Sequence, residues 1–188
     1  MTIVVLDYDP AWPRLFEVLR RPIAAALSDV AIAIEHVGST AVPGLAAKPI
    51  VDLDVVVPPH HVATAIARLA ALGYEHKGDL GVPGREALRH PPHLPRHHLY
   101  VCAAGNLALA NHLAVRDRLR SDPALASAYG ELKRQLAARF ADDVDRYVAG
   151  KTAFMLDVLR QAGFRAHDIA QIEHLNLPRK SAGADERA

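Results

Sequence analysis

One segment, Ile50-Val51-Asp52-Leu53-Asp54-Val55-Val56-Val57, limits what this chain can fold into more than any other. Its density of β-branched residues marks a strand, which Pro58-Pro59 ends. Side chains two apart on a strand share a face. Ile50, Asp52, Asp54 and Val56 therefore lie together, and Val51, Leu53, Val55 and Val57 lie on the reverse. The reverse face is wholly apolar and has to be core. The other face carries two carboxylates side by side. Buried without partners, they repel each other and lose hydration, which pushes one to hold its proton. A divalent cation removes both costs, and hard oxygen ligands suit Mg2+ or Mn2+. The competing reading is an edge strand with two solvated acids, and the flanking valines and isoleucine weigh against it. On the cation reading, Asp52→Ala or Asp54→Ala in metal-free protein is expected to leave folding intact or improve it.

A second feature lies just upstream. Ala31 to Val37 is expected to be a strand, and Gly38-Ser39-Thr40 breaks it. Glycine lets the backbone come close to a ligand. Backbone N–H groups and the Ser39 and Thr40 hydroxyls can then surround a phosphate. Alone, the string is an ordinary turn at a strand end. The order strand, Gly-Ser, loop, Asp-Leu-Asp gives it weight.

The rest of the chain supplies helices and a long connection. Thr2 to Leu6 is a short apolar run suited to an edge strand. Asp9-Pro10 has the form of a helix start, with Leu15, Val18, Leu19, Ile23 and Leu27 following at helical spacing. Pro22 within that run is expected to kink or restart the helix. Val62, Ile66, Leu69 and Leu72 give a second helix, closed by Gly73. Gly78 to Pro95 is rich in Gly, Pro, Arg and His and reads as a long surface loop. His97 to Ala103 is a strand, and helices are expected over 106–120, after Ser121-Asp122-Pro123, and over 143–162. These elements predict an α+β fold: a mixed β-sheet flanked by helices in residues 1–105, a C-terminal helical extension over 106–177 packed on it, and a disordered polar tail over 178–188.

Composition excludes some classes. A net charge of +1 gives no strong nucleic-acid signal. Cys102 is the sole cysteine, so no internal disulfide forms, and with no thiolate-stabilising neighbour in sequence it is expected to be buried and inert. No charged-then-apolar leader opens the printed sequence and no apolar run is long enough to span a bilayer, so no membrane association and a cytoplasmic location are the expectation. His90, His93, His97 and His98 match no zinc spacing and fit a polar loop. Trp12, Tyr74, Phe140 and Phe154 are read as core aromatics.

The string His36-Val37-Gly38-Ser39-Thr40-Ala41-Val42-Pro43-Gly44-Leu45-Ala46-Ala47-Lys48-Pro49-Ile50-Val51-Asp52 resembles the GrpB family of the nucleotidyltransferase superfamily. The likeness extends to Asp9-Pro10-Ala11-Trp12, Pro83-Gly84-Arg85, His97-His98-Leu99-Tyr100-Val101, Arg116-Asp117, Tyr129 with Lys133, and Tyr147 with Gly150-Lys151-Thr152-Ala153-Phe154. It implies a nucleotidyltransferase-like mixed sheet and a transferase site. In that site Ser39 contacts the phosphates of a nucleoside triphosphate (NTP), and Asp52 and Asp54 hold Mg2+ or Mn2+. Active members of the superfamily usually carry a third carboxylate on a neighbouring strand. The matching strand here, His97 to Cys102, has no acid; His98, Tyr100 and Cys102 share its face, and His98 is the candidate to stand in as ligand or base.

Basic residues can complete a phosphate site. Lys48 precedes the Asp strand, Arg85 lies in the long loop, and Lys133 and Lys151 lie on late helices, with Arg116 next in order and Asp117 as its possible partner or a remote third acid. Lys151 is favoured because Ala149-Gly150-Lys151-Thr152 follows the family pattern. Two functions follow from this reading. One is Mg-dependent nucleotidyl transfer from an NTP to an unknown acceptor. The other is noncatalytic nucleotide or anion binding, with a link to coenzyme A metabolism implied by the resemblance through fusions among family members. No Gly-x-x-x-x-Gly-Lys-Ser/Thr string occurs, so a P-loop kinase is excluded. The acceptor, the nucleobase and the oligomeric state are not legible.

Overall fold

The computed structural model describes residues 2–176, so the expectation of a disordered tail over 178–188 lies outside the described residues. A five-stranded mixed sheet runs in the order β1-β2-β5-β4-β3. Its strands are β1 (Ala33–Val37), β2 (Val51–Val57), β3 (Glu75–His76), β4 (Arg85–Arg89) and β5 (His97–Ala103). The central pair, β2 and β5, is parallel; β1–β2, β4–β5 and β3–β4 are antiparallel. The fold is therefore α+β, a mixed sheet flanked by helices.

The two faces of β2 behave as the alternation requires. Val51, Leu53, Val55 and Val57 are fully buried and pack with Leu99 and Val101 against α1 (Trp12–Ala26) and α2 (Val62–Ala71). At about 25 cal/mol per Å2, burying such side chains on both sides of the interface is the main favourable term holding these layers together. The opposite face meets α3 (Leu107–Ser121), whose Leu109 packs on Val56 and Cys102. Helices α3, α4 (Pro123–Arg139), α5 (Val144–Gln161) and α6 (Ala166–Asn176) form a second core that takes in Val42 and Leu45 from the loop before β2.

Three of these helices start on side-chain caps. Asn106, Asp122 and Asp143 accept from the backbone N–H three residues on, at 2.7, 3.0 and 3.0 Å. Gly150 lies inside α5, where a Cβ would collide with Leu136 of α4. A glycine there lets α4 and α5 approach closely despite its cost in helix propensity.

Four local expectations need correction. Residues 78–95 are not one loop: Arg85–Arg89 form β4, because Ala87 and Leu88 are buried against β5 and β3 completes the edge. Thr2 to Leu6 makes only an isolated bridge, Leu6 to Ala47. The first helix begins at Trp12, with Ala11 at the cap position; Asp9 accepts instead from Ala11 N–H at 2.8 Å. Pro22 does not interrupt α1. The carbonyl its missing N–H leaves free belongs to Val18, an exposed residue, so the lost bond falls on the solvent side of the helix. Among the described residues, no helix is long and apolar enough to cross a membrane.

Candidate functional site

The Gly-Ser turn closes β1 directly beside Asp52. Gly38 has φ 69° and ψ −170°, a region open to glycine alone, and a Cβ there would collide with Asp52 Oδ2. Both the backbone turn and the approach of the carboxylate therefore require glycine. Ser39 begins a 3-10 turn, Ser39–Ala41, and its Oγ points to a cavity of about 350 Å3. Thr40 turns the other way. Its hydroxyl bonds His36 Nε2 at 3.0 Å within the core, so the expectation that it helps surround a phosphate does not hold.

Five parts of the chain bring charge to that cavity: Lys48 comes from the loop before β2, Asp52 from β2, Arg116 from α3, Lys133 from α4, and Lys151 with Asp145 from α5, together with Ser39, His98 and His112. Lys133 is almost fully buried, and its Nζ donates to Ser39 Oγ at 2.8 Å. The ammonium also sits 4.6 Å from the centre of the Tyr129 ring, which stacks on Phe154. Lys151 Nζ lies 4.6 Å from the Tyr147 ring centre, and Lys48 Nζ lies 6.0 Å from the same ring. Among the described residues no carboxylate forms an ion pair with Lys133 or Lys151. Burial, then Lys151 and Arg134, bring the Lys133 amine down to about 7, with Asp52 opposing. Burial and Lys48 bring Lys151 down to about 8, again against Asp52. Lys48 is lowered too, mainly by burial. Amines held this way favour an anion that restores their charge.

Asp52 and Asp54 share the predicted face, and each already has a histidine. Asp52 Oδ1 is 2.7 Å from His98 Nδ1, its register partner on β5. Burial works to raise the Asp52 carboxyl, but the His98 bond, with the charges of His98, His112 and Lys48, holds it below the usual range. Asp54 Oδ2 is 2.7 Å from Nδ1 of His112, on α3. Asp54 has no exposed surface and does not line the cavity, because α3 covers it; Asp52 remains a quarter exposed. The other Asp54 oxygen, Oδ1, is buried without a partner. An orphaned carboxylate oxygen is costly in a native protein and invites a cation.

Among the described residues no group of three or more His, Cys, Asp or Glu is gathered to hold a metal. The carboxylates of Asp52 and Asp54 are hard oxygen donors, the kind of which Mg2+ takes one or two while completing its shell with phosphate oxygens and water.

Arg85 does not reach the cavity. Its guanidinium stacks on the Tyr100 ring at 4.3 Å, one strand away from Asp54, because β4 lies beyond β5. Its proposed contact with phosphate is therefore set aside. Cys102 is fully buried, and burial pushes its thiol up, so it is unreactive.

Three neighbours of the acids were not given roles from sequence or were ranked low. His112 is one, and Arg116 lines the cavity and donates to Glu35 Oε2 at 2.6 Å and to the His36 carbonyl at 3.1 Å. Glu35 faces Asp54 across the β1–β2 pair. His112 and Arg116 are four apart on one helix, so a shared face was legible; that this face covers the Asp strand was not.

Residues 2–161 match the protein family described as GrpB protein. The UPF0157 protein PA4798 of Pseudomonas aeruginosa is 39% identical over 168 residues, covering 85% of this chain and 67% of that one. The UPF0157 protein YqkA of Bacillus subtilis is 33% identical over 150 residues, covering 79% of this chain, which spans 44% of that relative's length. The crystal structure of the conserved protein GrpB from Enterococcus faecalis superposes with a TM-score of 0.76 at 38% identity, covering 85% of this chain and 96% of that one.

Proposed function

The chain belongs to the GrpB family, and from that premise and the charge of its cavity we propose that it binds a nucleoside triphosphate with Mg2+ and transfers the nucleotidyl group to an acceptor. The observation that carries this reading is the convergence of Lys48, Lys133 and Lys151 on the cavity that Ser39 and Asp52 also line, with Lys133 bonded to Ser39. Three ammonium groups match a polyphosphate, and Ser39 adds a hydroxyl donor at the end of β1. The apolar wall beyond them, with Val115, Leu119, Val148 and Met155, offers a surface for the nucleoside.

In this reading Lys133 and Lys151 orient the β- and γ-phosphates and draw off negative charge as pyrophosphate leaves. Asp52, which lines the cavity, would hold the cation with His98 fixing its carboxylate, and Asp54, bonded to His112, would add its unpartnered Oδ1 only once α3 draws back. The ion, when bound, supplies charge neutralisation and alignment of the acceptor oxygen with the leaving group. His98, which lines the cavity, would take the acceptor proton.

The burial of Asp54 favours a second reading, in which the pocket binds the nucleotide without turning it over. Two measurements separate the readings. Calorimetry with a nonhydrolysable ATP analogue and Mg2+ should show binding that Asp52→Asn weakens. Incubation with each of four α-labelled NTPs and cell extract should yield a labelled product. Binding without any product supports the second reading, and no binding of any NTP removes both.

A further inference from the structure

A second cavity, of about 440 Å3, adjoins the Gly-Ser turn. Ala41, the last residue of that turn, lines it, and Leu119 is common to both cavities. It is nonetheless separate from the lysine site. His36, on its wall, is the register partner of Leu53, so it leaves the face of β1 opposite to Asp52 and stacks on Phe16 of α1. Most of the wall is stiff and apolar. Pro13 of α1, Pro43 of the loop after the turn and Pro123 of α4 bring three exposed rings to it, with Leu119 beside them. Tyr8 adds an aromatic ring, fixed edge-on against Trp12 with centres 5.5 Å apart. Rings held this way lose little freedom when a ligand settles among them, so the cavity is ready before anything binds.

The charge in this cavity is Arg120. Its Nε donates to the Ala41 carbonyl at 2.9 Å. Its nearest carboxylate oxygen, Asp117 Oδ1, is 3.9 Å from Nη1 and already accepts from Arg116 Nε at 2.7 Å. Among the described residues neither Nη atom of Arg120 makes a hydrogen bond. Burial, then the charge of Arg116, lower the guanidinium's pKa, against Asp117, Glu35 and Tyr8. A guanidinium with open Nη donors suits one carboxylate or phosphate group. We propose that this cavity is a second binding site, for a small planar molecule bearing a single anionic group, with Arg120 taking the anion and the ring lying among the prolines and Tyr8. A polyphosphate is better matched by the three lysines of the other cavity; one guanidinium among apolar rings selects a single charge on an apolar body. The site stands independently of the nucleotide reading.

Calorimetric titration with benzoate and with phenyl phosphate tests the site, with acetate and inorganic phosphate as the controls that lack a ring. At least one ring-bearing probe should bind at millimolar concentration or below, and about tenfold or more tighter than its control, as burial of a phenyl ring requires. Benzoate alone would mark the natural ligand as a carboxylate, and phenyl phosphate alone as a phosphate; either supports the site. Arg120→Gln removes the charge and should weaken the probe by about tenfold or more. Tyr8→Ala, on a different segment of the chain, should weaken it by several-fold, so the test survives if the α3 substitution disturbs folding. Lys133→Met should leave the affinity unchanged. Ring-bearing probes that bind no better than their controls, or not at all, overturn the site. So does binding lost in Lys133→Met and kept in both Arg120→Gln and Tyr8→Ala, which would put the anion in the lysine cavity.

Discussion

Lys133 Nζ lies 2.8 Å from Ser39 Oγ, joining a turn at the end of β1 to a helix 94 residues later. The amine is buried and among the described residues has no carboxylate to pair with, so it costs stability in the ligand-free protein. Lys133→Met keeps the length and loses the charge. It should raise the melting temperature measured by calorimetry, and it should weaken binding of a nonhydrolysable ATP analogue by about ten- to a hundredfold, as expected for losing one charge-assisted bond. Tighter analogue binding, or a melting temperature several degrees lower, would contradict the anion site.

Binding should also take up protons. Lys133 titrates near 7 and Lys151 near 8 when no anion is present, so at pH 8 a large share of these amines is neutral. A bound polyphosphate favours the charged form and lifts both values, so protons are absorbed as the complex forms. Calorimetry at pH 8 in two buffers of different ionisation enthalpy should therefore give an uptake of about one proton per nucleotide, shrinking toward zero at pH 6. Release of protons at pH 8 would have the wrong sign.

The sequence made the sheet legible because β2 alternates so strictly. Val51, Leu53, Val55 and Val57 had no place but a core, and that places Asp52 and Asp54 on the other side. Lys133 and Lys151 were legible as candidates only through family resemblance; nothing local tells a buried lysine on α4 from a solvated one. Thr40 and Arg85 misled for the same reason. Whether a side chain beside a turn or in a loop points inward depends on packing, here of His36 on Thr40 and of Tyr100 under Arg85. His112 and Glu35 were missed because their importance comes from α3 crossing the sheet and from strand register, both nonlocal.

The structure changes one mutational expectation. Repulsion between Asp52 and Asp54 suggested that removing either would be harmless. Asp54, however, is fully buried and bonded to His112, so Asp54→Ala leaves a small cavity and an unsatisfied imidazole. That should cost about 1–3 kcal/mol. Asp52 faces the cavity, where water can replace it, and Asp52→Ala should change stability by less than about 1 kcal/mol. Urea unfolding of the two variants in metal-free buffer measures the difference; equal midpoints would mean that the His112 bond contributes nothing.

Acid should destabilise the fold in a window set by two buried histidines. His36 stacks on Phe16 at 4.6 Å and bonds Thr40. His97 is bonded by both ring nitrogens, to Tyr74 Oη at 2.9 Å and to the Pro95 carbonyl at 2.7 Å. Burial is the main cause in each case, and it lowers both from 6.5 to about 4, with Arg120 and Arg116 adding to it for His36 and His90 and His98 for His97. Asp52 opposes the shift of His36, and the Pro95 bond opposes that of His97. A folded-state value below the unfolded one means that the unfolded chain binds more protons between them. Stability from these groups is therefore complete above pH 6.5 and is lost as pH falls toward 4, by up to roughly 3 kcal/mol for each. The urea midpoint should fall steeply from pH 6.5 to pH 4.5, and His97→Gln should reduce that slope by about half. A midpoint that stays level to pH 4.5 in the wild-type protein would show that neither histidine is held neutral by the fold.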